Sequence, residues 1–189
     1  MFFQGKILKS DKFAVAVVGS RLMTPRGKSL TEKFVKELVK NKVTIVSGLA
    51  RGIDTVAHKT ALDNGGRTIA VLGSGLDIIY PPENAELAKS VSENGALVSP
   101  FANGTKPIGK NFLARNRVIV SLSLAVLVIE GARRSGTLST ASWAANSGVE
   151  VFAIPGSPAT DWLLEQGASI ANDPADVIQY LKANAANYS

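Results

Sequence analysis

The sequence predicts an α/β fold with a doubly wound, mostly parallel sheet and helices on both faces, in an extended Rossmann-like arrangement. Short apolar runs alternate along the chain with segments of helical periodicity, which is typical of successive strand–helix–strand units. The runs are apolar at every position instead of every second one. That pattern is expected when helices cover both faces of a parallel sheet.

Each predicted strand is a short apolar run, rich in β-branched residues and closed by turn-forming residues. The first run, Ala14 to Val18, ends at Gly19, and the last ends at Pro155. The strands predicted on this basis are 14–18, 43–46, 68–72, 96–98, 125–129 and 151–154.

The helices are predicted from apolar residues at helical spacing between these strands, such as Leu30, Phe34 and Leu38. They cover residues 30–39, 53–62, 84–93, 115–122, 137–146 and 175–183. Residues 99–113 are predicted to form a long loop, because prolines and glycines interrupt any periodic pattern there.

Length and composition restrict the possible classes of protein. The chain has 189 residues, 46% of them hydrophobic, which suits one domain over 1–189, without repeats or a linker. The absence of cysteine excludes disulfides and thiol chemistry, and a single histidine, His58, excludes a histidine-rich metal site. The N-terminus lacks a signal-peptide pattern, and no apolar run approaches the roughly 20 residues that span a bilayer. We therefore expect a cytoplasmic protein.

The net charge of +6 is unevenly distributed. Residues 1–60 carry 12 basic against 4 acidic side chains, and residues 101–134 carry 6 against 1, whereas the other two stretches are acidic. If the fold brings the two basic stretches together, they form a positive face that attracts a polyanion. The alternative is a solubilising surface of helical lysines such as Lys33, Lys36 and Lys40.

Glycine, serine and arginine recur directly after the predicted strands, where ligands bind in sheets of this kind. Glycine allows close approach of the backbone, serine offers a hydroxyl, and arginine can bind a phosphate with two parallel hydrogen bonds. Each such turn also has an ordinary structural explanation, but several together favour an anion site. The turns lie at 19–21, 47–54, 73–75, 130–137 and 155–157.

The motifs of common cofactor sites and catalytic sites are absent. Neither the dinucleotide fingerprint G-x-G-x-x-G nor a Walker P-loop occurs, so no cofactor is predicted. His58 is expected to be a packed helix residue, not a base. Asp54 and Glu130 are expected to cap helices or to pair with Arg21 or Arg51. Trp143 has the helical spacing of a core residue.

A segment combining cations with an aromatic residue lies between residues 104 and 117. Proteins that bind single strands use cations along the phosphates and an aromatic ring on which a base stacks. Lys106, Lys110, Arg115, Arg117 and Phe112 would provide these groups. The alternative buries Phe112 under the loop and places the arginines on a solvated helix face.

Together these turns resemble the DNA-processing protein A family (DprA, also called Smf). The matching stretches are 19–21, 47–54, 57–58, 69–77, 80–81, 115–117, 135–137 and 151–156. They occur in one order over roughly residues 2–170, and the opening 2–5 resembles the family's lead-in to the first strand.

The resemblance implies an extended Rossmann-like domain that binds single-stranded DNA, acts in natural transformation, helps to load the RecA recombinase and typically dimerises. Independently of the resemblance, no catalytic, metal or cofactor site is expected, because the sequence offers no nucleophile–base pair, no set of metal ligands and no cofactor motif. Members usually add an N-terminal helical domain and a C-terminal winged-helix-like domain, for which 189 residues leave no room. The candidate nucleic-acid-binding residues are Gly19, Ser20, Arg21, Ser47, Gly48, Arg51, Gly52, Lys106, Lys110, Phe112, Arg115, Asn116, Arg117, Ser135, Gly136 and Thr137.

A second hypothesis is a nucleotide sensor or a nucleotide-processing enzyme similar to the LOG phosphoribohydrolases. Their signature, P-G-G-x-G-T-x-x-E, corresponds to residues 132–140 here, which lack the doubled glycine and the glutamate. The two hypotheses differ in length dependence: a strand binder gains affinity from a mononucleotide to an oligomer, whereas a sensor or an enzyme does not.

Overall fold

A sheet of eight strands forms within residues 1–133 and 135–184, the part of the chain that the computed structural model describes. Its strands are β1 (Phe2–Gly5), β2 (Ala14–Val18), β3 (Thr44–Ser47), β4 (Thr68–Val71), β5 (Ala96–Ser99), β6 (Ala125–Val128), β7 (Glu150–Ala153) and β8 (Ser169–Ile170). The helices are α1 (Pro25–Lys40), α2 (Ile53–Asp63), α3 (Ala85–Asn94), α4 (Gly109–Ser121), α5 (Gly136–Asn146), α6 (Pro158–Glu165) and α7 (Pro174–Asn184). In the described part of the chain, none of these helices has the length and apolar character that crossing a membrane requires.

The strand order, β1-β5-β4-β3-β2-β6-β7-β8, confirms the predicted doubly wound topology. All pairs are parallel except β1, which is antiparallel to β5. From β2 the chain proceeds outward through β3, β4 and β5, and then returns to place β6 on the other side of β2. The strand order therefore reverses between β2 and β6, and ligands bind beyond the carboxyl ends of the strands at such a point.

Helices cover both faces of the sheet, which explains the continuous apolar runs. Val15 belongs to the core cluster that contains Phe34 of α1, whereas the next residue, Ala16, belongs to the cluster that contains Ile119 of α4. All five residues of β2 are buried. A polar side chain at any of these positions would lose its water without gaining a partner.

α1 begins five residues before the predicted start, because Thr24 and Pro25 form a strong initiation signal. The hydroxyl of Thr24 accepts a hydrogen bond from the backbone N–H of Gly27 at 2.9 Å. The buried carboxylate of Glu130, after β6, accepts bonds from the Thr24 N–H at 2.7 Å and from its hydroxyl at 2.6 Å. Glu130 thus anchors the start of α1 beside the switch point.

α4 begins six residues before the predicted start, so the expected loop 99–113 is shorter and Lys110 and Phe112 lie on the helix. Glycine and proline favoured a loop, but both are also compatible with the residues around a helix start. The side-chain amide of Asn111 donates to the carbonyl of Lys106 at 3.0 Å and holds the preceding segment against the helix.

Among the α-helices and strands of the described residues, two were absent from the prediction and a third was only partly anticipated. The short helix α6 and the two-residue strand β8 are too short to show a clear period. β1 was expected only as a lead-in, and its four residues are all exposed at the edge of the sheet.

Candidate functional site

A cavity of about 520 Å³ lies at the switch point, where the chain leaves β2 and α4 and α5 begin. Its position agrees with the rule that ligands bind beyond the carboxyl ends of the strands. Nine of the sequence-predicted site residues line it: Gly19, Ser20, Arg21, Phe112, Arg115, Asn116, Ser135, Gly136 and Thr137.

The turn after β2 is held by its backbone and by close packing. The N–H of Ser20 donates to the Glu130 carbonyl at 3.0 Å, and the Ser20 carbonyl accepts from the N–H of Ile53 at 3.1 Å. A Cβ on Gly19 would lie 2.7 Å from the Ile53 side chain, and Gly52 adopts a φ of +75° against the Ser20 carbonyl. Both positions therefore require glycine, and the turn holds Arg21, the residue after Ser20, at a fixed place.

The side chain of Arg21 is exposed at the cavity wall. Its guanidinium carbon lies 5.4 Å from the centroid of the Phe112 ring, and it makes no hydrogen bond or ion pair with any described residue. The carboxylates considered as its partners form their hydrogen bonds elsewhere, since Asp54 accepts from the Gly48 N–H at 3.1 Å and Glu130 binds Thr24. Burial raises the pKa of Asp54, and the charge of Arg21 is the weakest of the influences that oppose this rise. The guanidinium therefore retains its capacity to bind an anion.

Phe112 is half-buried, and two guanidinium groups lie near its ring. Its ring packs on Gly73, where a Cβ would come within 2.6 Å of it, and the Arg115 guanidinium carbon lies 5.8 Å from its centroid. The ring lines the cavity. It is thus placed where a flat apolar group entering the cavity would contact it.

Arg115 is 4% exposed, so the alternative of a solvated helix face is wrong for this residue. Its guanidinium donates to the carbonyls of Gly48 and Val71, and Gly48 leaves room for it by having no Cβ. Burial lowers the pKa of Arg115 to about 10, and the Asp54 carboxylate opposes that shift. Arg115 therefore stays charged at neutral pH and ties α4 to the ends of β3 and β4.

The neighbours of Arg115 on α4 differ from it in their surroundings. Asn116 is buried, with its amide 3.4 Å from the carbonyl of Gly136 at the start of α5. Arg117 is exposed, does not line the cavity, and has its guanidinium carbon 3.8 Å from the centroid of the Trp143 ring. Trp143 is half-buried and packs against the core, as its spacing predicted.

The start of α5 gives the cavity a helix N-terminus. Ser135 precedes the helix with an extended backbone, and its buried hydroxyl has no hydrogen-bond partner among the described residues. The first backbone N–H groups of a helix and its dipole favour a negative charge. Arg134, in the same turn, lies outside the described residues.

The remaining predicted site residues do not line this cavity. Ser47 is fully buried, and its hydroxyl donates to the Val17 carbonyl at 2.7 Å, so it braces β3 against β2. Arg51 is exposed and forms an ion pair with Glu83. Gly48 and Gly52 act through close packing, and Lys106 and Lys110 are exposed before and within the first turn of α4.

His58 is fully buried in α2, as predicted for a packed residue, and does not line the cavity. Its Nδ1 lies 2.7 Å from the hydroxyl of Thr68. Burial and the nearby charge of Arg115 lower the pKa of His58 to about 3, so the ring is neutral at physiological pH.

Two leucines in the cavity wall were not predicted from the sequence. Leu22 is 91% exposed and Leu113 is 52% exposed, and both line the cavity. The sequence signal that could have indicated the first of them is an apolar residue, Leu22, directly after Arg21 in an otherwise polar turn. These side chains add apolar surface next to the exposed guanidinium.

Comparison with known proteins identifies the family. The family model for DNA recombination-mediator protein A matches residues 1–182. Protein Smf of Escherichia coli is 46% identical over 96% of this chain and 50% of its own length. DNA processing protein DprA of Streptococcus pneumoniae is 42% identical over 94% of this chain and 65% of its own length. The chain thus spans about half to two thirds of these relatives.

Solved structures give the same result. DprA from S. pneumoniae superimposes with a TM-score of 0.89 over 94% of this chain and 65% of that one. DNA processing protein A from Helicobacter pylori, which binds single-stranded DNA, superimposes with a TM-score of 0.88 at 33% identity, over 96% of this chain and 86% of that one. A molybdenum cofactor binding protein from Rippkaea orientalis, at 19% identity and a TM-score of 0.68, shares the fold alone. The chain belongs to the DNA recombination-mediator protein A family, to which the DprA and Smf proteins belong.

Proposed function

We propose that this chain binds single-stranded DNA in the cavity at the switch point, as one folded domain over 1–189. The observation that carries the proposal is the exposed guanidinium of Arg21 beside the half-buried ring of Phe112, with no carboxylate partner among the described residues. A cation for a phosphate and a ring for a base are the two groups that single-strand binders combine. The N-terminus of α5 adds a second favourable place for a phosphate.

The shape of the site supports a preference for single strands over a duplex. Gly19 and Gly52 bring the backbone of two turns close together, and the cavity lies in the crevice between them and the α4–α5 pair. A base can reach the ring of Phe112 only if it is unstacked from a partner strand.

Binding, and not catalysis, is the proposed activity. The groups that most often transfer protons are committed to structure, since His58 is fully buried and the carboxylate of Glu130 caps α1. We propose no catalytic, metal or cofactor site. The second candidate is a sensor of free nucleotides, which the helix N-terminus at the cavity would also suit.

The wider role that we propose follows the family to which the chain belongs. It would act in the cytoplasm in DNA uptake by natural transformation, help to load a RecA-type recombinase onto single-stranded DNA, and work as a homodimer. The H. pylori relative binds single-stranded DNA, and this supports the DNA-binding step of the proposed role.

Replacement of Arg21 by alanine should weaken the binding of a single strand about tenfold or more, because a charge-assisted contact with a phosphate is lost. The slope of log affinity against log salt should fall by somewhat under one unit, since one fewer counterion is released. Fluorescence anisotropy with a labelled thymidine oligomer at two salt concentrations measures both quantities.

Two variants serve as controls for this change. Arg21→Lys keeps the charge but loses the planar fork, so it should fall between the wild type and Arg21→Ala. Lys40→Ala removes the same charge from the far end of α1 and should leave affinity nearly unchanged. A lowered melting temperature of Arg21→Ala with unchanged affinity would remove Arg21 from the site.

A further inference from the structure

A second aromatic side chain lies beside Phe112. Tyr80, in the loop between β4 and α3, is 37% exposed, and its ring centroid lies 5.7 Å from that of Phe112 at an angle of 49°. The Arg51 guanidinium carbon lies 6.0 Å from the Tyr80 centroid, much as Arg21 lies 5.4 Å from Phe112. Two cation–aromatic pairs therefore lie side by side. They are joined by a small cleft, which is lined by all four side chains, Arg21, Phe112, Arg51 and Tyr80.

The guanidinium of Arg51, the cation of this second pair, already forms an ion pair with a carboxylate. The Nε of Arg51 binds the Glu83 carboxylate, and both side chains are about half exposed. The hydrogen bond raises the pKa of the Arg51 guanidinium and lowers that of the Glu83 carboxyl. A guanidinium binds carboxylate and phosphate oxygens in the same geometry, and an ion pair this exposed contributes little stability. The carboxylate of Glu83 therefore lies where a phosphate oxygen could replace it at low cost.

We propose that Tyr80 and Arg51 form a second nucleotide subsite next to the one at Phe112 and Arg21, and that Glu83 occupies its phosphate position while the site is empty. The ligand is a dinucleotide step of a single strand, with one base on each ring. The inference rests on the proposed function and deepens it, because it assigns Tyr80 and Glu83 to the strand-binding surface.

Tyr80 could instead only support the ring of Phe112, and the size of the ligand separates these roles. Thymidine 5′-monophosphate and its 5′-phosphorylated dinucleotide are titrated against a labelled strand of about 12 thymidines. For the wild type, the affinity of the dinucleotide measured by competition should be about fivefold or more higher than that of the mononucleotide. This is the gain expected from one further stacked base.

Tyr80→Ala should abolish this advantage and leave competition by the mononucleotide within about twofold of the wild type, while Tyr80→Phe should keep the advantage. Phe112→Ala should weaken both competitors. The subsite is disproved if Tyr80→Ala weakens the two competitors equally, or weakens neither. If the wild type does not bind the labelled strand at all, the proposed function itself fails.

The role of Glu83 has its own test. Glu83→Gln frees Arg51 and should raise the affinity for the labelled strand by about two- to fivefold. Glu37→Gln is the matched control, because it removes the same charge from an exposed ion pair with Lys40 near the end of α1. In an Arg51→Ala background, Glu83→Gln should give no more gain than the control. A gain no larger than that of Glu37→Gln in the wild-type background, or a loss, contradicts the role of Glu83.

Discussion

Replacement of Arg115 by alanine should lower the free energy of unfolding by about 3–5 kcal/mol, because it removes the cation of a buried polar cluster. The carbonyls of Gly48 and Val71 would lose their donor inside the protein. The buried carboxyl of Asp54, whose pKa is raised by burial and lowered most by the charge of Arg115, would lose that compensating charge. Urea unfolding at neutral pH measures the loss.

Arg117→Ala is the matched control for this variant, since Arg117 is on the same helix but exposed, with its guanidinium over Trp143. It should cost about 1 kcal/mol or less. An Arg115→Ala protein as stable as the wild type that nevertheless fails to bind a strand would contradict the structural role and return Arg115 to the phosphate-binding group.

Replacement of Arg67 by alanine should destabilise the fold by about 3 kcal/mol, because it leaves a buried carboxylate without its cation. Asp11 is 5% exposed and accepts bonds from Nε and Nη2 of Arg67, each at 2.8 Å. The backbone N–H of Leu8 at 2.7 Å and the hydroxyl of Thr44 at 3.0 Å complete the site. Unfolding in urea at neutral pH gives the magnitude.

The same pair predicts a dependence on pH. Burial alone would raise the pKa of Asp11, but the hydrogen bonds from Arg67, Leu8 and Thr44 outweigh it and hold the pKa below its ordinary value. A carboxyl with a depressed folded-state pKa stabilises the fold above its unfolded pKa of about 4, and the stabilisation is lost as pH falls through the folded value. The wild type should therefore lose more stability between neutral pH and about pH 3 than Asp11→Asn does. Equal losses would show that Asp11 does not contribute.

Sequence patterns predicted the sheet well because burial on both faces leaves a strong signal. The predicted strand 14–18 coincides with β2, and the others agree within a residue at either end. The rule that ligands bind at strand ends then placed Arg21 and residues 135–137 correctly around one cavity.

What the sequence could not show is which polar residues find partners far along the chain. Arg115 and Arg117 look alike in the sequence, but only Arg115 faces the carbonyls at the ends of two strands. Glu130 caps a helix whose first turn lies 106 residues earlier. Ser47 follows an apolar run as a ligand-binding serine would, but its hydroxyl bonds to the neighbouring strand. Such contacts arise from the packing of the whole fold, and no local pattern encodes them.

The most direct test of the central claim is the affinity of the wild type for thymidine strands of increasing length, compared with a blunt duplex. The claim predicts that affinity rises steadily from the mononucleotide to a strand of about 12 nucleotides, since further bases and phosphates make further contacts. It also predicts that the single strand binds more tightly than a duplex of equal length. A mononucleotide that binds as tightly as the longest strand, or a duplex that binds equally well, would contradict it and favour a sensor of free nucleotides or an unspecific cationic surface.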